Sequence, residues 1–482
     1  MDEFRDRLVA DLAIEIQVAQ ELDSLVWALR EDRPILRKPC MEGTRIAILQ
    51  EIENEVNKVD GHNVIWIRGS PGVGKSALAA RISTRLQDQG RRVIPFRFDR
   101  TQSTRITTET LWRVMACDLA DWYPSLRQYL AKAIRGHISS EIDCLFKLLI
   151  EMPLAHLDDV AHEELPVIVV DALDECGGFR QDSSGRDDYE GLLCTLRRWA
   201  EVDHLKKFKL VITSRPDSRI TQTFPDTIST YIDIPSGSGV KPDDSTSDDI
   251  RKFLESRFNT IEVEPAWTTK ALDYLVPRSL GVFIWVTTVA DFLQENPRER
   301  FDILEKRKRG DDTEGLYDLD SLYLTVITTS FGRALKPEIK AITSVIGATI
   351  FAKQPLDDTV LIRLPGVKNT NMLNYIRNGL MSVIDSGPTL RFHHKSFEDF
   401  LFSSSFRQHL PKLSDVQDRT IHERRLAGLC LDAMVSSELH FNMCNLNSLN
   451  IKNVDIPASD KSAISPLIYY SSQFWADHLV QT

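Results

Sequence analysis

The sequence predicts an α/β fold in which a doubly wound parallel sheet is followed by helical and winged-helix domains. Short apolar segments alternate with helical patterns between residues 60 and 235, a glycine-rich loop joins the first segment to a helix, and two later segments end in polar residues. Strands that are apolar along their whole length, separated by helices, indicate a parallel sheet covered on both faces. A chain of 482 residues is also too long for one core, so several domains are expected.

The first elements along the chain are helical. Residues 4–30 place apolar side chains at helical spacing, and Arg45–Val59 do so again. Four segments rich in Val, Ile and Phe follow, separated by helical patterns. They are predicted as the strands Val64–Ile67, Val93–Phe98, Pro166–Val170 and Lys209–Thr213.

The second half of the chain changes pattern. Ser236–Asp249 has the composition of a linker, and helical patterns follow it. Met381–Ile384 and Thr389–His394 are predicted as two short strands of a hairpin, which after several helices indicates a winged helix. The predicted domains are an N-terminal helical lead-in (1–40), the α/β domain (41–235), a helical domain (236–318), a winged-helix domain (319–405) and a C-terminal helical segment (406–482).

Composition narrows the class of protein. Hydrophobic residues make up 42% and charged residues 27% of the chain, which is typical of a globular protein. The formal net charge of −11 argues against nucleic acid as the main partner. The seven cysteines are scattered without a C-x-x-C pair, which predicts neither disulfides nor a zinc site, and no apolar run is long enough to span a bilayer. We therefore expect a cytoplasmic protein.

The loop after the first strand carries the strongest motif, Gly-Ser-Pro-Gly-Val-Gly-Lys-Ser. Its glycines let backbone N–H groups turn toward phosphate oxygens at a helix start, while Lys75 reaches the β- and γ-phosphates and the Ser76 hydroxyl ligates Mg²⁺. A strand before the loop and an amphipathic helix after it are the setting that this P-loop requires. The predicted nucleotide-binding residues are Gly69, Ser70, Pro71, Gly72, Val73, Gly74, Lys75, Ser76 and Ala77.

Polar residues follow two further strands. Asp171, at the end of the third strand, would hold Mg²⁺ through its water ligands together with Ser76. Asp174 or Glu175 would position the attacking water, and the sequence leaves the choice between them open. Arg215 follows the fourth strand and could detect the γ-phosphate. Because ligands of open α/β sheets bind outside the carboxyl ends of the strands, these residues are expected to line one crevice.

A histidine in the predicted winged helix shares a strand face with apolar residues. Leu390, Phe392 and His394 alternate on that face, and the next helix is expected to start at Ser396 with Asp399 completing a capping box. Most lone histidines on apolar faces bind nothing. The residues by themselves therefore favour a structural role for His394.

These motifs together resemble the NACHT family of signal-transducing NTPases, of the STAND class, over roughly residues 40–405. Asp-Ala-Leu-Asp-Glu (171–175) and Thr-Ser-Arg-Pro (213–216) are similar to segments of the family in general. The segments that look like those of fungal members are Pro-Cys-Met-Glu-Gly-Thr-Arg (39–45) and His-Lys-Ser-Phe-Glu-Asp-Phe-Leu (394–401). The closing segment, residues 469–479, resembles one that usually precedes a WD-repeat propeller, so the chain is similar to a heterokaryon-incompatibility-like protein without its repeats. The resemblance implies ATP or ADP with Mg²⁺ as ligands, and contact between His394 and the ADP β-phosphate.

The resemblance also implies a function. In the family ADP holds a closed state, ATP opens it and permits homo-oligomerisation, and slow ATP hydrolysis resets the switch. Such proteins act through effector or sensor proteins, and several fungal members function in self/non-self recognition or regulated cell death. A scaffold that binds nucleotide without hydrolysing it is the alternative. A DNA-associated AAA+ motor is disfavoured by the acidic charge.

Overall fold

The computed structural model describes residues 16, 36–99, 106–135, 141–157, 164–176, 183–234, 244–307, 319–385, 387–446 and 463–481. These residues form two compact units. The first extends to Phe253 and includes Leu280–Val282, and the second comprises Leu254–Ser279 and the described residues from Phe283 onward. Most of the helical lead-in predicted for residues 1–40 lies outside the described residues, and the division of the chain into five domains stays a prediction.

A five-stranded parallel sheet forms the centre of the first unit, with strand order β2-β3-β4-β1-β5. The strands are β1 (Val64–Arg68), β2 (Val93–Arg97), β3 (Val167–Asp171), β4 (Lys209–Ser214) and β5 (Ser229–Asp233). The first four confirm the predicted strands to within one residue at each end. β5 was not predicted, because it lies at the sheet edge and mixes buried and solvent-facing side chains instead of forming an apolar run.

Helices cover both faces of this sheet. They are α1 (Ile46–Asn57), α2 (Lys75–Asp88), α3 (Thr108–Trp122), α4 (Pro124–Arg135), α5 (Ile142–Phe146), α6 (Met152–Leu154), α7 (Ser183–Glu201), α8 (Ser218–Thr223) and the beginning of α9 (Asp244–Phe258). In β1, Ile65 and Ile67 pack with α1 and α2, whereas Trp66 belongs to the core on the other face with α3 and α7. The predicted doubly wound α/β fold is therefore confirmed.

The second unit is helical in the part of the chain that the structure describes. After α9 it contains α10 (Pro265–Arg278), α11 (Phe283–Phe292), α12 (Pro297–Arg307), α13 (Leu319–Phe331), α14 (Lys336–Phe351), α15 (Asp358–Leu361), α16 (Thr370–Leu380), α17 (Lys395–Leu401), α18 (Ser404–His409), α19 (Arg419–Met434) and α20 (Pro466–Val480). None of the described helices is both long and apolar enough to cross a bilayer.

The hairpin predicted from Met381–Ile384 and Thr389–His394 does not form two regular strands. Ile384 and Phe392 make a single antiparallel bridge. Nearer the turn the second arm pairs elsewhere, because the Leu390 N–H donates to the Leu356 carbonyl at 3.2 Å and Thr389 forms an isolated bridge with Asp357. The second arm of the predicted hairpin thus pairs partly with the residues just before α15 instead of with the first arm. The two arms of the hairpin share only one bridge.

A buried polar network attaches the last helix to α19. The Glu423 carboxylate, fully buried in α19, contacts His478 Nδ1 at 2.5 Å and accepts from Lys353 Nζ at 3.0 Å. The other ring nitrogen of His478 bonds the Tyr470 hydroxyl at 2.7 Å. Since a buried charge is costly without partners, this network makes the packing of α20 specific.

Candidate functional site

The glycines of the P-loop meet two different requirements. A Cβ on Gly69 would lie 2.9 Å from Val73 Cγ2 and 3.2 Å from Ile234 Cβ, so a larger residue directly after β1 would force the Val73 side chain to shift. Gly74 caps α2 with a φ of 96°, in the left-handed region that favours glycine. The loop therefore turns directly into the N-terminus of α2, whose backbone N–H groups form an anion-binding end.

Lys75 is the first residue of α2, followed by Ser76 and Ala77 in the same turn. Its Nζ donates to the carbonyl oxygens of Gly69 at 2.8 Å and Ser70 at 3.0 Å, which closes the side chain over its own loop. Burial lowers the pKa of Lys75 from 10.5 to about 8. The charges that act on the ammonium are, in decreasing order, those of Asp174, Arg215, Asp171 and Glu175. The structure thus brings the predicted residues of β1, β3 and β4 into one electrostatic site.

Asp171 ends β3 as a fully buried carboxylate. Its Oδ1 accepts a hydrogen bond from the Thr213 hydroxyl at 2.6 Å, and Thr213 Oγ1 in turn accepts from the Ala172 N–H at 3.0 Å. Asp171 Oδ2 has no hydrogen-bond partner among the described residues. A buried carboxylate oxygen left without a donor is the kind of ligand that a hydrated Mg²⁺ requires, so Asp171 fits the predicted metal site.

The two candidate hydrolytic carboxylates differ in their surroundings. Asp174 is engaged by Arg215, whose N–H donates to Oδ1 at 3.2 Å and whose Nε lies 3.3 Å from Oδ2. The Glu175 backbone N–H donates to the Ala172 carbonyl at 2.8 Å, but its carboxylate makes no hydrogen bond or ion pair with another described residue. Burial raises the pKa of Glu175, and the Arg97 guanidinium opposes that rise. The pairing of Asp174 with Arg215 was not foreseen from the sequence.

Two arginines of the site were not predicted as functional. Arg97, at the end of β2, lies 3.5 Å from Asp171 Oδ2 through its Nε. Arg45 is buried with a left-handed φ of 58°; its N–H donates to Asp249 Oδ2 at 2.9 Å and its guanidinium to the Val73 carbonyl at 3.1 Å. Arg45 therefore joins the segment before α1, the P-loop and α9. A charged residue ending an apolar strand was the available signal for Arg97, whereas Arg45 was marked only by its place in the resembling segment 39–45.

His394 lies in the second unit, and the expected capping box at Ser396 and Asp399 is wrong. His394 itself is the N-cap of α17: its Nδ1 accepts from the Ser396 N–H at 3.1 Å and contacts the Ser396 hydroxyl at 2.7 Å. That hydroxyl also bonds the Tyr323 hydroxyl at 2.8 Å. A neutral ring that accepts at Nδ1 carries its proton on Nε2, so the network fixes the tautomer. Contact with ADP stays a prediction.

The first unit matches a known protein-family model. This model, described as Nephrocystin 3, N-terminal, matches residues 43–215. The matched stretch is less than half of the chain; it includes the P-loop, Asp171 and both candidate carboxylates, and ends at Arg215. The fold is that of a P-loop NTPase. No curated protein matches the chain.

Three solved structures that are similar to the chain are remote from it in sequence. A STAND protein with a tetratricopeptide repeat sensor from Pyrococcus horikoshii is 16% identical, with a TM-score of 0.43, and the match covers 92% of this chain and 57% of that protein. The ORC2 protein of Aeropyrum pernix is 12% identical (TM-score 0.32, 82% of this chain and 98% of that one). DnaA of Aquifex aeolicus, bound to AMPPCP, is 13% identical (TM-score 0.30, 79% and 96%).

Proposed function

We propose that the chain is a STAND-class switch of the NACHT type that alternates between ATP- and ADP-bound states. The observation that carries this proposal is the convergence of Lys75, Asp171 and Arg215 at the carboxyl ends of adjacent strands. The loop binds phosphates, the buried carboxylate holds Mg²⁺, which neutralises phosphate charge when bound, and the arginine detects the γ-phosphate. Only a ligand with different contacts in two states shifts a conformational equilibrium, and a γ-phosphate contact supplies that difference.

Slow ATP hydrolysis resets the switch, and Glu175 is the carboxylate that activates water. Asp174 is held by the backbone and side chain of Arg215, so its role is to orient that arginine. Glu175 combines a raised pKa with a carboxylate that has no hydrogen-bond or ion-pair partner among the described residues, and a base whose pKa is closer to the working pH takes up a proton more effectively. Between the two carboxylates that the sequence left open, these surroundings favour Glu175.

His394 holds the closed state by donating its Nε2 proton to the β-phosphate of ADP. The support is local: Nδ1 is used by Ser396, which leaves the proton on the nitrogen that would face an anion. The resemblance to fungal NACHT proteins extends the proposal to effector or sensor partners, conditional homo-oligomerisation, and a cytoplasmic role in self/non-self recognition or regulated cell death.

The first experiment identifies the nucleotide that the purified chain carries. The protein is denatured and the released nucleotide is separated by chromatography, for the wild type and for Lys75→Ala and His394→Ala. We expect near-stoichiometric ADP in the wild type and no nucleotide in Lys75→Ala. In His394→Ala the amount of ADP should be lower, or ATP should be bound instead of ADP. An empty wild-type protein that also ignores added ATP and Mg²⁺ would contradict the whole proposal.

The second experiment separates the switch from a non-hydrolysing scaffold. Single-turnover hydrolysis of ATP is compared in the wild type, Glu175→Gln and Asp174→Asn, with nucleotide affinity measured in parallel. Glu175→Gln should keep its affinity and lose hydrolysis, whereas Asp174→Asn should lose hydrolysis less severely. Binding without any turnover in the wild type would favour the scaffold, and equal rates in all three proteins would remove Glu175 from its assigned role.

A further inference from the structure

Arg97 is a charged residue outside the predicted motifs, yet it lies beside Asp171. Its Cα pairs with that of Asp171 in the parallel register of β2 and β3. The Arg97 side chain is 11% exposed, its Nε lies 3.5 Å from Asp171 Oδ2, and the carboxylate it faces is fully buried. The same guanidinium lies 4.0 Å from Asp99 Oδ2. One arginine therefore faces two carboxylates at the edge where β3 ends.

The contact between Arg97 and Asp171 balances charge without using the hydrogen-bonding capacity of either atom. Typical N–H···O bonds are about 2.9 Å long, so 3.5 Å is an ion pair and not a hydrogen bond. Within the described residues, Arg97 Nε and Asp171 Oδ2 are both buried atoms without a hydrogen-bond partner. The other oxygen, Oδ1, is already bonded to Thr213. Asp171 Oδ2 thus has its charge compensated while its lone pairs stay available.

We propose that Arg97 is a positioning residue that compensates the charge of Asp171 before Mg²⁺ binds and then shares this carboxylate with the hydrated ion. The inference rests on the proposed nucleotide function. Leaving a buried carboxylate without its partner is strongly destabilising, so Arg97 stabilises the metal-free protein. Positive charges repel across the short distances of such a site, so Arg97 also weakens the binding of Mg²⁺.

This arrangement makes nucleotide binding sensitive to the Mg²⁺ concentration. Arg97 lies opposite Asp171 in the register of β2 and β3 and faces its Oδ2, while Thr213 holds Oδ1. The Asp171 carboxylate is therefore oriented before a metal ion binds. The guanidinium is attached to β2 and stays when Mg²⁺ arrives. Arg97 therefore lowers the affinity of the site for Mg²⁺ and raises the stability of the metal-free protein.

A double-mutant cycle on the nucleotide-free chain tests the pairing. Unfolding midpoints are measured in a chelator for the wild type, Arg97→Met, Asp171→Asn and the double variant, with Arg197→Met in an exposed pair as the matched control. Arg97→Met should lower the midpoint by about 5–10 °C, since removing one partner of a buried pair is costly. In the Asp171→Asn background the same change should have little effect. An equal loss in both backgrounds would overturn the proposal.

A metal titration tests the second half of the inference. Binding of a fluorescent ADP analogue is followed against Mg²⁺ concentration for the wild type, Arg97→Met and Arg97→Lys. The half-saturating Mg²⁺ concentration should fall several-fold in Arg97→Met and stay near the wild-type value in Arg97→Lys, which keeps the charge. An unchanged requirement in Arg97→Met would overturn the proposal and leave the nucleotide function intact.

The unfolding cycle and the metal titration test the inference independently of each other. A wild type that binds no nucleotide would contradict the proposed function, whereas the unfolding cycle would still report on the pairing. If Arg97→Met does not fold, the double variant decides, because removing both charges should restore folding. A double variant as unstable as Arg97→Met would overturn the proposal.

Discussion

Replacing Lys75 by methionine tests whether the P-loop holds a desolvated ammonium in the nucleotide-free state. Burial lowers the pKa of Lys75 from 10.5 to about 8. Below pH 8 the side chain is protonated in the folded and the unfolded protein alike. Between pH 8 and 10.5 the unfolded chain binds the proton and the folded protein does not, so the free energy of unfolding rises with pH.

The size of this effect follows from the shift in pKa. One pH unit corresponds to about 1.36 kcal/mol, so the full shift is worth about 3 kcal/mol, an upper bound because Lys75 keeps some contact with solvent. Between about pH 7.5 and pH 9.5 the two protonation equilibria give a rise of about 2 kcal/mol in the wild type relative to Lys75→Met. Other titrating groups are common to both proteins and cancel.

The measurement is urea unfolding of nucleotide-free protein in a chelator at those two pH values, followed by tryptophan fluorescence. The difference in unfolding free energy between wild type and Lys75→Met should grow in favour of the wild type by that amount. Lys75→Arg serves as the matched control, since a guanidinium stays protonated and should show no such change. A difference that is the same at both pH values would refute the burial of a charged lysine in the P-loop.

Three further predictions concern stability and turnover. Glu423→Gln should destabilise the second unit by about 3–5 kcal/mol in thermal unfolding, whereas Glu438→Gln, in an exposed pair, should have little effect. Gly347→Ala should cost about 1–3 kcal/mol, because its Cβ would lie 2.0–2.4 Å from a neighbouring imidazole; Gly428→Ala, which meets nothing within 4 Å, is the neutral control. Hydrolysis should decline on acidification at a higher pH than an ordinary glutamate would give, because burial raises the pKa of Glu175; a profile with an ordinary carboxylate value would contradict this.

Local sequence patterns were sufficient wherever neighbouring residues determine the structure. The four apolar strands and the P-loop were predicted because each is a continuous segment whose side chains share one environment. The edge strand Ser229–Asp233 was missed because two of its five residues are exposed, so that it is not a continuous apolar segment. At His394 the pattern suggested a helix start two residues late: Ser396 is a common cap, and the histidine ring that replaces it gives no such signal.

The surroundings of Asp171 could not be predicted in the same way, because they depend on the register of β3 with the neighbouring strands β2 and β4. Asp171 was found from the polar residue at its strand end, but its partners come from β2 and β4, and the Thr213 bond alone joins residues 42 positions apart. In a parallel sheet a shift of one residue would turn Arg97 or Thr213 to the opposite face. Which side chains flank the carboxylate is therefore decided by strand order and register, neither of which the individual segments contain. The P-loop is a local motif that the sequence alone reveals, whereas the proposed effect of Arg97, Asp171 and Thr213 on metal affinity depends on this pairing of strands.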